Sequence, residues 1–170
     1  MIADNKFTHF DQIGNDIISK MIGWSTFQTN KLDKFGWWDS SGTTFFGHRI
    51  LQEIKCNSSN QRNFSTTIIT KHDFDKLVAN TPEDVEAFYF IIMNSVTYCL
   101  NLKKIAADAD VFEIKKQVNR NTTMGSIGYY REEEWVYINK SKAVKKGYMR
   151  VLKKGGLNYG YNIDKLLKGN

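Results

Sequence analysis

The chain has 170 residues, 41% of them apolar and 14% aromatic, with 24 basic against 18 acidic side chains and a net charge of +6. That length suits one domain with a core of its own, and the apolar content excludes a disordered chain. No apolar run reaches a membrane span of about eighteen residues, the first residues lack a signal-peptide layout, and Cys56 and Cys99 have no metal-ligand spacing, so a reduced, cytoplasmic protein with no membrane partner is expected.

Taken in order, Phe10 to Ile22 places apolar residues at Phe10, Ile13, Ile17, Ile18 and Met21, which predicts an amphipathic helix stopped by Gly23, with Asp16 on its polar side. Trp24 to Thr29 alternates as a strand, and Asn30 to Gly36 is a loop. Trp38 to Lys55 then reads as an acidic turn, a short strand, a Gly-His turn and a second strand, which together make a hairpin. A polar loop from Asn57 to Thr67 carries Arg62. Lys71 to Val78 is a short helix, and His72 near its start reads as a surface or capping residue rather than a catalytic one.

The Thr81-Pro82-Glu83-Asp84 stretch has the signature of a helix start, so one helical turn is expected before a buried strand over Phe88 to Met93, with a continuous helix as the rival reading. Val96 to Leu102 is a further strand beside it. Ile105 to Val118 reads as a helix on Ile105, Val111, Ile114 and Val118, Asn119 to Tyr130 as a loop, and Trp135 to Ile138 as the last strand. These elements predict an α/β domain over 1–170, a central mixed sheet of about five strands flanked by helices, with 1–139 as its core and 140–170 as a basic C-terminal segment.

Charge is unevenly spread. From Lys140 onward nine basic residues face a single acid, Asp164, while the rest of the chain is nearly neutral. A cationic segment on a neutral body suggests a polyanionic partner, with a merely solubilising tail as the plainer alternative.

Within the hairpin, alternation places Glu53 and Lys55 on one face of the strand and Ile54 on the other. If the turn brings Asp39 alongside, two carboxylates and an ammonium converge, the arrangement that a hard divalent cation and an activated water need. A Glu-x-Lys is weak evidence by itself, and the chain has a second at Glu113-Ile114-Lys115. That copy falls in a helical pattern, where residues two apart do not face each other. Only the first has strand context and an Asp fourteen residues upstream.

Asp39, the hairpin and Glu53-Ile54-Lys55, set in the order helix, strand, Asp, hairpin, helix, strands, resemble the restriction-endonuclease-like or PD-(D/E)XK nuclease superfamily. The likeness runs from about Phe10 to Leu102 and is nearest in layout to small Holliday-junction resolvases and restriction enzymes. Trp38 stands where the motif has proline, and nothing after Leu102 matches a subfamily. The resemblance implies a restriction-endonuclease-like fold and a Mg²⁺-dependent endonuclease acting on DNA, with Mn²⁺ as a possible substitute for Mg²⁺. It makes Asp39, Glu53 and the Ile54 carbonyl metal ligands, Lys55 the residue that orients or helps deprotonate the attacking water, and Asp16 an accessory acid. Arg62, Lys140, Lys142, Lys145, Lys146, Arg150, Lys153 and Lys154 would contact phosphates, and cutting both strands of a duplex would favour a homodimer. The alternative is a nucleic-acid-binding protein without catalysis that uses the basic segment.

Overall fold

The computed structural model describes residues 12–30, 38–56, 64–93, 96–120, 130–153 and 162–167. A helix over 12–19 (α1) leads into β1 (Trp24–Thr29), β2 (Ser40–Thr44) and β3 (Arg49–Cys56). Next come β4 (Thr66–Thr70), α2 (Lys71–Asn80), β5 (Val85–Ile92), β6 (Val96–Asn101) and α3 (Leu102–Ala106). The chain then runs through β7 (Phe112–Arg120), β8 (Tyr130–Asn139), α4 (Lys140–Lys145), β9 (Met149–Lys153) and α5 (Ile163–Leu167).

Two sheets result. The larger has the order β1-β2-β3-β5-β6-β9, and only its β3–β5 pair is parallel. The smaller, β4-β8-β7, is antiparallel throughout. The fold is thus α/β with a mixed sheet, as the sequence predicts; that sheet has six described strands where about five were expected, and the second, three-stranded sheet was not expected.

The pairing explains why β5 is apolar along nearly its whole length. It lies between β3 and β6 with both faces covered, so Val85 and Ala87 to Ile92 are all buried. Ala87, Tyr89 and Ile91 join Tyr98, Leu100, Phe74, Leu77, Ile69, Val136 and Ile138 in one core. On the opposite face Phe88, Phe90 and Ile92 pack with Ile18, Met21, Ile54, Cys99, Ile163 and Leu166. Helices α1 and α5 therefore cover one face of the large sheet, and α2, α3 and the small sheet cover the other.

Several elements differ from their sequence reading. Thr81 does not open a helix. Its amide and hydroxyl both donate to the Leu77 carbonyl and so close α2. The residues after it make a turn, with the Val85 amide donating to Pro82 O, and β5 starts directly at Val85. The helix expected over Ile105 to Val118 is two elements. α3 ends at Ala106, Asp108 turns the chain by accepting from the Asp110 amide, and the rest is β7. Val111, Ile114 and Val118 share a helical spacing while Phe112, Ile114 and Val118 alternate as on a strand, and nine residues of pairing with β8 decide for the strand. β4, a β-branched Thr-Thr-Ile-Ile-Thr run, begins inside what reads as a polar loop.

The boundary at 139/140 also fails to match the architecture. β9 hydrogen-bonds to β6 along the large sheet, and Ile163 and Leu166 of α5 lie in the core, so the described part of 140–170 completes the domain.

The β2–β3 hairpin is held from both ends. At its turn Gly47 takes φ +85°, a left-handed conformation that suits glycine, while the Thr44 amide donates to His48 O and the Gly47 amide to Thr44 O. Within β2, Gly42 leaves room for Trp24. A Cβ at Gly42 would overlap the Trp24 ring and stand 2.9 Å from Thr26 O. Gly42→Ala should therefore lower stability by about 2 kcal/mol in denaturant titration, the scale of an overpacked site.

Candidate active site

Asp39 directly precedes β2, where the hairpin ladder runs out. Its amide donates to Gln52 O at 2.8 Å, and its own carbonyl accepts from the Asn30 amide at 2.8 Å. The side chain closes back on β3, with Oδ2 accepting from the Ile54 amide at 2.6 Å. A strand residue points its N–H and C=O to the same side, so the Ile54 carbonyl faces the edge occupied by Asp39. Trp38, just before Asp39, packs against the core.

Glu53 and Lys55 project from the opposite side of β3 to Ile54, as alternation requires, and form an ion pair at 2.7 Å. Glu53 is only 15% exposed, whereas Lys55 is 48% exposed. Their neighbours across the parallel register are Tyr89 and Ile91. The site lies toward the end of β3, between the start of β2 and the face covered by α2.

Electrostatics bind these groups into one unit. Burial, then the nearby Asp39 carboxylate, push the Glu53 carboxyl from 4.5 up to about 7, against the pull of Lys55. Burial acts to lower the Lys55 ammonium, but Glu53, Asp73 and Asp39 together outweigh it and leave it above its usual value. Burial, followed by Asp73, Glu53 and Asp39, drives the Tyr89 phenol well above the ordinary range.

Asp73 is the member that sequence reasoning missed. It lies in the first turn of α2, where its amide donates to the Thr70 side chain that caps the helix. Phe74 and Leu77 fix α2 in the core shared by Tyr89 and Ile91, and this brings the acid within electrostatic reach of Glu53, Lys55 and Tyr89. The one signal in the sequence is an acid in a first turn that Thr70 caps. His72 is exposed, in keeping with its reading as a surface residue.

Asp16 is not brought to this cluster. Helix α1 packs over Ile54 and Cys56 through Gly14, on the other face of the sheet, and Asp16 is a solvated acid 2.9 Å from Lys20. The charges that act on Glu53 are Asp39, Lys55 and Asp73.

The second Glu-x-Lys needs correcting. Glu113 and Lys115 lie on a strand after all and pair at 3.3 Å. Exposure separates the two copies: Glu113 is 72% exposed and Glu53 only 15%.

The basic segment is only partly available. Lys142 pairs with Asp110 at 3.4 Å, and Lys146 pairs with Asp108 at 2.8 Å and Asp110 at 3.3 Å. Asp108 and Asp110 sit more than thirty residues upstream, so counting charge along the sequence misses the partners. Lys140 lies against Tyr98, Lys145 is exposed, and Arg150 stands opposite Cys99 on β9. Lys153 ends β9 with its side chain outside the description, and Arg62 and Lys154 lie outside the described residues.

Among the described residues no three His, Cys, Asp or Glu side chains are grouped so as to hold a metal ion. Two carboxylates are present, and Mg²⁺ typically takes one or two from a protein, filling its octahedron with water and substrate oxygens. The raised Glu53 carboxyl fits such an ion, because a poorly solvated acid that feels a second carboxylate gains from a cation close to both. Among the described residues no helix is long and apolar enough to cross a membrane. No known protein family model matches the chain, and no curated protein matches it in sequence.

Proposed function

We propose that the protein is a metal-dependent endonuclease of restriction-endonuclease-like fold that hydrolyses phosphodiester bonds in DNA. The observation that carries the reading is the set Asp39, Glu53 and Lys55 at one end of β3, with the Asp39 carboxylate tied to the Ile54 amide and Glu53 buried against Lys55. The element order behind the family resemblance supports it, since α1, β1, the β2–β3 hairpin, α2, β5 and β6 follow in that sequence.

In this reading Asp39, Glu53 and the Ile54 carbonyl hold Mg²⁺, or Mn²⁺ in its place. When bound, the ion would neutralise charge on the scissile phosphate and lower the pKa of a water. Asp39 keeps its position through the Ile54 amide, which fixes Oδ2 before any ligand arrives. The Glu53 carboxyl, pushed up to about 7, would be partly protonated near neutral pH and would release that proton to a bound cation. Lys55 remains an ammonium, so it orients the attacking water and offsets charge gathering on the phosphoryl oxygens rather than taking the proton. A homodimer would place two such sites on the two strands of a duplex.

The test is nicking of supercoiled plasmid and of a four-way junction, in Mg²⁺ and in EDTA, by wild type and Glu53→Ala. Metal-dependent nicking that disappears in the variant is the expected result, and the better substrate gives the subclass. Intact DNA in both assays, alongside salt-sensitive binding, would replace this reading with a binding protein that has no catalytic role.

A further inference from the structure

A pocket of about 320 Å³ opens on the face of the large sheet away from Glu53 and Lys55, lined by Phe46, His48, Glu86, Asp164 and Leu167. Glu86 stands on β5 opposite Ile50, at the start of the β3–β5 pairing, so the pocket lies at the other end of β3 from the candidate active site. Its unusual member is Asp164. The Ile163 amide docks α5 by donating to Ile22 O at 2.7 Å, and the Asp164 amide donates to Asn162 Oδ1 at 2.8 Å. This packing leaves Asp164 only 6% exposed, yet among the described residues no donor reaches its Oδ1. A carboxylate taken out of water calls for an opposite charge or for donors to offset its lost hydration.

The rest of the lining gives the chemistry of the missing partner. Glu86 is a second carboxylate, and the Asn101 side-chain amide, donating to it at 2.9 Å, fixes it without neutralising it. Two formal negative charges in one pocket, on a chain of net charge +6, select a cation. Among the described residues no three His, Cys, Asp or Glu side chains are grouped so as to hold a metal ion, so His48, Glu86 and Asp164 are spread too widely to share one. A cation that carries its donors apart suits them better. A guanidinium does so, with five N–H groups in a planar fork, and it sheds water more readily than an ammonium. Phe46, 75% exposed, and Leu167 give its plane and methylene stem an apolar flank to lie on. We propose that the pocket binds the guanidinium of an arginine residue in a partner polypeptide, with Asp164 and Glu86 as its charged partners. Free arginine is the poorer fit, because its α-carboxylate would face the same two acids. The proposal is independent of the nuclease reading.

The test is an NMR titration of the full chain, without DNA or metal, with N-acetyl-arginine amide, which carries the guanidinium and no other charge. Saturable shifts at the Gly47 and His48 amides are expected. N-acetyl-citrulline amide, the uncharged analogue, should produce none, and free arginine should bind more weakly than the blocked form. Asp164→Asn should weaken binding more than about tenfold, the scale of losing one desolvated charge pair, and Glu86→Gln, which can still accept from Asn101, should weaken it too. Asp164→Asn should also melt at least about 2 °C higher without ligand, because it removes a buried charge that the fold leaves unpaired. A purely structural Asp164 would give the opposite sign. Equal binding of the citrulline compound, unchanged affinity in both variants, or a lower melt for Asp164→Asn would overturn the proposal. Tighter binding of free arginine would overturn its assignment to a polypeptide.

Discussion

Glu53→Gln should make the protein more stable at pH 8 and, on the proposed nuclease reading, remove metal-dependent DNA cleavage. The Glu53 carboxyl titrates near 7 in the folded chain, against 4.5 as its ordinary value. Below about pH 4.5 both folded and unfolded states carry the proton, and the group makes no difference. Between about 4.5 and 7 the folded state binds more protons than the unfolded one, so stability falls as pH rises. Above 7 the full penalty is present, about 3 kcal/mol for a group this buried. Glutamine cannot ionise and so escapes it. Wild type should lose stability on going from pH 5 to pH 8, while the variant stays flat over that window and melts about 5–10 °C higher at pH 8. Added Mg²⁺ should recover much of the difference in wild type and little in the variant. Thermal melts at several pH values, with and without Mg²⁺, check each point. A wild type that is most stable at pH 8, or a variant that melts lower there, would mean that Glu53 is an ordinary paired carboxylate.

Lys55→Ala should reduce DNA cleavage about 10²–10⁴-fold and leave DNA affinity nearly unchanged, the scale of losing one positioned acid–base or electrostatic group. Lys55 is 48% exposed, so its removal leaves no large cavity. Asp39 keeps its bond to the Ile54 amide, and Asp73 remains in the first turn of α2. The fold should survive, which makes the rate interpretable. Single-turnover cleavage beside equilibrium binding separates the two effects. Equal losses in rate and affinity would make Lys55 a phosphate contact and move the chemistry elsewhere.

The hairpin was legible because everything that defines it is local. Gly47 marks the turn, alternation puts Glu53 and Lys55 together, and Asp39 enters through the antiparallel register of the same two strands. Asp73 was not legible, because it reaches Glu53 only through the docking of α2 on a core built from β5, β6 and β8. The same holds for the cationic segment, whose Lys142 and Lys146 meet Asp108 and Asp110 only once α4 packs beside the turn after α3. β7 failed for a different reason. Val111, Ile114 and Val118 carry a helical spacing and Phe112, Ile114 and Val118 a strand one, and nothing inside the segment reveals that β8 lies beside it along nine residues.

The central claim is that Asp39 and Glu53 form a cation site, and that a metal displaces the proton Glu53 carries below about pH 7. Calorimetric titration of Mg²⁺ into the protein near pH 6.5, in two buffers of different ionisation enthalpy, reads this directly. The account predicts saturable binding with release of a large fraction of one proton per ion, and loss of that proton release in Glu53→Gln. Binding without proton release, or the same titration in wild type and Glu53→Gln, would contradict it.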